Sequence, residues 1–357
     1  MKILEVYLAG VVLLYTLIVM LVLLGLYFFT TLIGELGVVG QGSYRLLDAA
    51  RYSAMLVPKQ IYELFPMVAL LGTMLGLGSL ANSSELTVMR AAGVSIRGIA
   101  VIVAKLGLVM VIVVALLSEF VAPALEKQAH FQRMQAIERS VSFSTGSGLW
   151  VRDGDSYLTM EMLLPDGEAL GLTRYQMDGQ RLRAIATAQR GQYQDEAWHV
   201  EQVLITRFAP DQAQDQVQVL QLDSDHWIST LTPEVIDKAA LPAENLSVRE
   251  LAQFVGYLRE NTLASERYEM AMWMRAFAPL ATGGMILLAL PFVFGSSRML
   301  GMDRRILLGV LLGIGFYLFN GVFSRVGLLY ELSPFVSAAT PTVLVYLLWF
   351  YLMRRVN

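Results

Sequence analysis

Glu63, Lys105 and Glu119 are ionisable side chains in or beside stretches that are otherwise apolar, where a charge either relays protons or reaches out to headgroups. Lys105 and Glu119 stand 14 positions apart, about 21 Å along a helix, so they cannot pair with each other, and snorkelling of each to its own membrane surface is the simpler reading. Lys127, His130 and Arg133 recur at i, i+3 and i+6, a basic stripe on one helix face. Asp223-Ser224-Asp225-His226 offers oxygen and nitrogen donors to a metal, yet it follows a strand-like run and reads as a polar turn, so no metal site is assigned. The chain holds no H-E-x-x-H, no G-x-S-x-G and no cysteine, which leaves no recognisable zinc protease, serine elbow or thiolate chemistry. It also lacks G-x-x-x-x-G-K-[ST], the backbone cradle for nucleotide phosphates. It reads as non-catalytic, with no cofactor of its own, and any ATP-driven work requires a separate subunit.

The elements that carry these residues are membrane helices. Val6 to Ile33 and Leu332 to Met353 contain no ionisable side chain, and further charge-free runs cover Leu64 to Ser84, Ala276 to Ser297 and Ile306 to Ser324. Each is near or above the roughly 20 residues needed to span a bilayer. A sixth, Gly98 to Ala122, is apolar except for Lys105 and Glu119. Hydrophobic residues make up 55% of the 357 and charged residues only 16%, outside the balance of a soluble domain. Gly72 with Gly76, and Gly309 with Gly313, are small-x-x-x-small pairs, suited to close helix packing or to a smooth face that opens. The net charge of -3 offers no basic surface to nucleic acid.

Six spans place both termini on one side with the loops around Asn82 to Arg97 and Arg298 to Arg305, which carry most of the Lys and Arg near the helices. The positive-inside rule makes that side cytoplasmic. Pro123 to Glu269 holds 22 acidic against 13 basic residues and is expected outside, in a bacterium the periplasm. The third helix is expected to continue outward through the basic stripe. Period-two runs follow at Tyr157 to Met162, Arg183 to Ala188, Trp198 to Arg207 and Gln216 to Leu222, with turns at Pro165-Asp166-Gly167, Asp178-Gly179, Gln194-Asp195-Glu196 and Pro210-Asp211. This predicts an all-β, sandwich or jelly-roll-like domain from about Ser144 to Thr232. Ser247 and Glu250 form a capping box before an apolar stripe of Leu251, Phe254, Val255 and Leu258, a short amphipathic helix leading to span four. The domains are then 1–123, 124–246 and 247–357.

Between spans two and three, Asn82 and Glu85 have capping-box spacing and Gly93 is a natural helix stop, predicting a helix of two to three turns outside the bilayer. It reads either as a capped connection or as a rigid element suited to transmitting force. Ser84-Glu85-Leu86 with Met89 and Ala92-Gly93, after the glycine-rich Gly72 to Gly78, resembles the lipopolysaccharide export permeases of the LptF and LptG type. So do Gly40-Gln41-Gly42-Ser43-Tyr44, Phe65-Pro66-Met67, Val121-Ala122-Pro123 and Gly148-Leu149-Trp150. The resemblance covers essentially the whole chain and is nearest the LptG branch.

That resemblance implies an α-helical inner-membrane protein with an inserted periplasmic β domain, a subunit of an ABC transporter that extracts lipopolysaccharide and passes it toward the outer membrane. The implied partners are an LptF-like second permease, a dimeric cytoplasmic LptB-like ATPase that uses ATP and Mg, and an LptC-like membrane-anchored bridge protein. Glu85, Leu86, Met89, Arg90, Ala92 and Gly93 would form the coupling helix. Spans one and five would line the lipid cavity, bringing Phe316, Phe319, Val322 and Phe323 to acyl chains. Charge-assisted bonds to headgroup phosphate would come from Arg133 foremost, then Lys127, His130, Arg45 and Arg325, with Arg51 and Lys59 nearby. Each also reads as a solvated or lipid-facing charge. Family members often carry lysines after span one, where this chain has Glu35; a carboxylate there is expected to repel phosphate, so headgroup contacts would come from Arg45 or the partner. Two other classes stand beside this one: a secondary transporter coupled through Glu63, Lys105 or Glu119, although no inverted repeat is evident, and a non-transporting envelope scaffold or sensor.

Overall fold

A computed structural model describes residues 2–138, 149–153, 156–160, 162–163, 167–179, 181–194, 197–208, 217–229, 232, 243–260, 263–295 and 302–355. The Ser144 start of the insert, Gly148, Pro165-Asp166, Asp195-Glu196, Pro210-Asp211, Gln216 and Arg298 lie outside the described residues. The chain forms two compact units, one of Met1–Ser142, Ser247–Val255 and Ala264–Asn357, the other of Phe143–Leu246 and Gly256–Leu263.

The first unit is helical: α1 (Lys2–Leu36), α2 (Leu46–Met55), α3 (Val57–Asn82), α4 (Glu85–Ala91), α5 (Ile96–Leu116), a π-helical turn at Leu117–Val121, and α6 (Ala122–Glu138). After the insert come α7 (Val248–Glu260), whose first part belongs to this unit, then α8 (Glu266–Phe294), α9 (Met302–Leu329) and α10 (Pro334–Arg354). Among the described residues six helices are long and apolar enough to cross a membrane: α1, α3, the continuous run Ile96–Ile137, α8, α9 and α10. The six expected spans are therefore present, and the third extends past the bilayer length as its basic stripe predicts. Span two differs. It begins at Val57 rather than Leu64, and an additional helix, α2, precedes it. Lys59 and Glu63 are thereby helical, because Lys59 is neutralised by Glu126 of α6 at 2.7 Å and needs no loop to reach solvent.

Helix α3 is the centre of the bundle, packed against α1, α8 and α9. A Cβ on Gly72 would lie 2.5 Å from the Thr16 Cα, and one on Gly76 2.9 Å from the Val12 Cα, so only glycine lets the two backbones come this close. Leu8, Val12 and Thr16, spaced by one turn, are the α1 residues buried there. On α9, Gly309 and Gly313 receive Leu71 and Met67 of α3 in the same way. Both glycine pairs thus serve packing inside the chain. Gly107 of α5 likewise accepts Ile286 of α8.

Among the described residues the second unit contains seven antiparallel strands: β1 (Leu149–Asp153), β2 (Ser156–Met160), β3 (Met162–Leu163), β4 (Glu168–Asp178), β5 (Arg181–Gln194), β6 (Ala197–Phe208) and β7 (Val217–Ile228). They run in chain order, with the short β3 beside β4, as a meander not closed into a barrel among the described residues. The expected inserted antiparallel β domain is present. The alternation places Leu158, Leu172, Ala186, Trp198, Val200 and Trp227 in one buried cluster. Asp223 to His226 belongs to β7 rather than to a turn after it. The Asp225 carboxylate accepts from the His226 backbone N–H and the Trp227 indole N–H, which engages it within the strand.

One line crosses the sheet where ladder pairing lapses: Gly171 in β4, Gln189 in β5, Gln202 in β6 and Asp223 in β7. Gly171 (φ 64°) and Gln202 (φ 55°) have left-handed backbone there, a kink that creases a sheet without changing register. The crease borders an open groove of about 950 Å³, where Leu170, Leu204 and Leu222 alternate with Thr173, Thr187, Gln202 and Gln221.

Candidate functional site

Three regions hold the residues that sequence singled out, and the first is the end of the helical unit where α1 finishes and α6 extends. Residues 40–44 form a tight joint: Gly42 (φ 56°) lies so near the carbonyls of Ala136 and Ile137 that a Cβ could not be placed, and the Ser43 N–H donates to the Ala136 carbonyl at 2.8 Å. This joint and α2 bring α1 and α6 together. Arg133 Nε then meets Glu35 Oε2 at 2.7 Å, and the Tyr44 hydroxyl donates to the same oxygen at 3.0 Å. Burial and the Glu35 hydrogen bond push the Tyr44 hydroxyl well above its usual range, keeping it a donor. The Arg133 guanidinium lies over the Tyr52 ring at 5.6 Å, and His130 packs edge-on against the same ring. Glu126 accepts from Lys59 and lies 3.7 Å from His130 Nε2, while Lys127 reaches Glu250 at 3.3 Å.

The basic stripe is therefore matched, cation by cation, with carboxylates. Glu35 binds Arg133 instead of standing alone, a pairing across 98 positions that no local pattern displays. Arg45 and Arg325 are exposed on their helices, as is Arg51. Glu119, read above as a snorkelling anchor, has another role. In the π-helical turn its carboxylate accepts from the backbone N–H groups of Val248 and Arg249 at 2.9 and 3.0 Å, satisfying donors at the start of α7. Ser247 and Glu250 complete the expected capping box, with bonds of 2.8 and 3.2 Å. Burial works against the Glu250 charge, but the Ser247 bonds and Lys127 outweigh it and hold the carboxyl below its ordinary value. Leu251, Phe254, Val255 and Leu258 are buried as their spacing predicts.

The second region is the apolar surface of α1 and α9. Of the most apolar part of each span, 72% is buried in α3 and 61% in α8, but 17% in α1 and 11% in α9. Phe319 is exposed and pairs with Phe323 at 4.5 Å between ring centroids, whereas Phe316 turns inward against the cluster around Leu70 and Met285. Sequence reading passed over Arg275, which is buried in α8 with its guanidinium 5.5 Å from the Tyr62 ring centroid; it stands just outside a charge-free run and so escaped a search for such runs.

The third region is α4. Its seven residues make about two turns, the short end of the expected range, but the Asn82 capping box does not form: Asn82 ends α3, Ser84 adopts left-handed backbone (φ 61°), and the helix starts at Glu85. The Glu85 carboxylate is drawn instead to the Tyr7 hydroxyl and the Ser83 hydroxyl, both at 2.8 Å. Gly93 (φ 95°) ends the helix as expected, its N–H and that of Val94 bonding back to Arg90 and Met89. Leu86 and Met89 are buried in the bundle core, so they hold α4 in place. Arg90, Ala92 and Gly93 are exposed, and Val88, which sequence did not single out, is 67% exposed between them. Among the described residues no group of three or more His, Cys, Asp or Glu is placed to hold a metal.

The family model for the lipopolysaccharide export system permease LptF/LptG matches residues 6–355. The chain is similar to lipopolysaccharide export system permease protein LptG of Escherichia coli strain K12, 33% identical over 326 residues that cover 90% of each chain. It is also similar to the LptG protein of Haemophilus influenzae, 30% identical over 321 residues, 89% of this chain and 88% of that one. With a family match nearly end to end and six spans interrupted by an antiparallel β insert, this chain belongs to the LptF/LptG family of lipopolysaccharide export system permeases.

Proposed function

We propose that this chain is the LptG-type permease subunit of an ATP-driven exporter that takes lipopolysaccharide from the inner membrane and delivers it through its β domain toward the outer membrane. The observation that carries this reading is the contrast among the spans: α1 and α9 expose apolar faces along most of their length while α3 and α8 form the scaffold. A second permease facing α1 and α9 would complete an acyl cavity. The termini and α4 are cytoplasmic in this reading, and the β unit is periplasmic, where its creased groove of mixed leucine and polar lining is open to an amphipathic lipid. Arg133 and its neighbours take the headgroup at the outer surface. A dimeric cytoplasmic ATPase, using ATP and Mg, engages the exposed side of α4, and an anchored periplasmic bridge protein receives the lipid.

Helix α4 suits coupling because Leu86 and Met89 root it in the core while Glu85 ties its start to Tyr7 of α1. Displacing α4 then pulls on α1, one of the two least buried spans. The test is copurification of the full chain with a cytoplasmic ATPase, followed by ATP-dependent release of lipopolysaccharide from the complex. Glu85→Arg is expected to lower coupled transport with the fold intact. Normal release from that variant, or transport with no nucleotide hydrolase present, would overturn the reading.

A further inference from the structure

Glu35 and Arg133 are both committed to one contact, and how they are committed bears on which anions the site admits. Arg133 is 29% exposed, and among the described residues its partners are Glu35, reached through Nε, and the face of Tyr52. Neither terminal Nη group has a hydrogen-bond partner there, so the two-pronged edge that suits a phosphate is unused. Beside it, Glu35 Oε2 holds the guanidinium with Tyr44 as second donor, and the pair is electrically neutral toward an arriving anion. An anion must therefore outcompete a carboxylate already held 2.7 Å from the guanidinium in the same molecule.

Two lipid headgroup chemistries differ in that competition. A phosphodiester carries one negative charge, the same as Glu35, and gains nothing in charge by replacing it. A phosphomonoester carries about 1.5 to 2 negative charges at neutral pH, with three acceptor oxygens, and can use the Nη edge at the same time. We propose that Glu35 is a specificity-determining residue: an internal counter-ion that closes Arg133 to phosphodiester lipids and yields it to lipids bearing a phosphomonoester. This rests on the reading that Arg133 meets the lipid headgroup. It also gives the carboxylate after span one a purpose, since ordinary bilayer phospholipids outnumber any cargo at that surface.

The experiment uses the full chain in phosphatidylcholine nanodiscs containing a minor fraction of either phosphatidic acid, a phosphomonoester, or phosphatidylglycerol, a phosphodiester. Lipid retention is read by native mass spectrometry. The unaltered chain is expected to prefer phosphatidic acid by about tenfold, the scale of one charge-assisted bond. Glu35→Gln keeps an acceptor for Tyr44 and is expected to raise phosphatidylglycerol retention about tenfold, erasing the preference. Tyr44→Phe, which leaves the Glu35 charge in place, should move it only part of the way and serves if Glu35→Gln does not fold. Arg133→Gln should lower phosphatidic acid retention in every background. An unchanged preference in Glu35→Gln, with Arg133→Gln still weakening phosphatidic acid, would overturn the filter alone. No effect of Arg133→Gln would overturn both the filter and the headgroup site. Inorganic phosphate lacks the acyl anchor and should displace phosphatidic acid poorly, and full displacement by it would overturn the lipid assignment.

Discussion

Spans α3 and α1 lie side by side and yet solve opposite problems. By mean hydropathy α1 is the more apolar of the two, but it is α3, with its glycines and Thr73, that fills the bundle centre. The same inversion separates α8 from α9. In water the most apolar helix is driven inside. In a bilayer lipid tails are as apolar as leucine, so association is decided by how closely backbones can approach and by polar groups that need partners. Glycines at 72 and 76 allow that approach, and Thr16, which the Gly72 backbone abuts, is buried with its hydroxyl bonded to the Val12 carbonyl. The most apolar faces are left exposed.

The contrast would be broken most forcefully by truncation. Leu77→Ala in α3, at a fully buried position, is expected to cost about 2–5 kcal/mol, whereas Leu21→Ala in α1, at 74% exposure, should change stability by about 0.5 kcal/mol or less. Thermal unfolding of both variants in detergent compares them, and equal shifts would refute the division into scaffold and lining. Added bulk probes the same division with a smaller effect. Gly72→Val meets the Thr16 backbone and is expected to cost about 1–3 kcal/mol, while Gly315→Val on α9 meets nothing within 4 Å and should be tolerated apart from helix propensity.

The smallest effect sharpens the comparison by separating apolar packing from ionic clasps. Because the Glu250 carboxyl is held below its unfolded value, its contribution is present above the ordinary carboxylate range and is lost as pH falls through the lower native value. Protection of the amides at the start of α7, taken relative to their intrinsic exchange rate at each pH, should therefore fall on acidification, while protection in the middle of α3 should not respond. Glu250→Gln should remove the pH dependence, and a dependence that survives it would assign the effect elsewhere.

Much of the architecture was legible locally. Runs free of charge announced the spans, period two announced the strands of the insert, and Ser247 with Glu250 announced the start of α7 down to its reciprocal bonds. The candidate site was legible only as a set of residue types. The spacing of Lys127, His130 and Arg133 displays a stripe, with Glu126 one turn before His130 on the same helix, but not the carboxylates that reach it from elsewhere, Glu35 and Glu250. Asn82 and Glu85 have correct capping spacing, yet Tyr7, 78 positions away, and neighbouring Ser83 take the Glu85 carboxylate first. A local rule names what a side chain can do, and a distant donor decides what it does.

Composition and order alone set the number of spans and the antiparallel insert, because each follows from the solvent a segment must meet. The tertiary structure alone decided which spans became buried scaffold and which stayed exposed, that Glu119 would satisfy the start of α7, and that Arg133 would be held by Glu35. Those outcomes depend on contacts between residues far apart in the chain, whose energies exist only once the backbones have come within a few ångströms of each other.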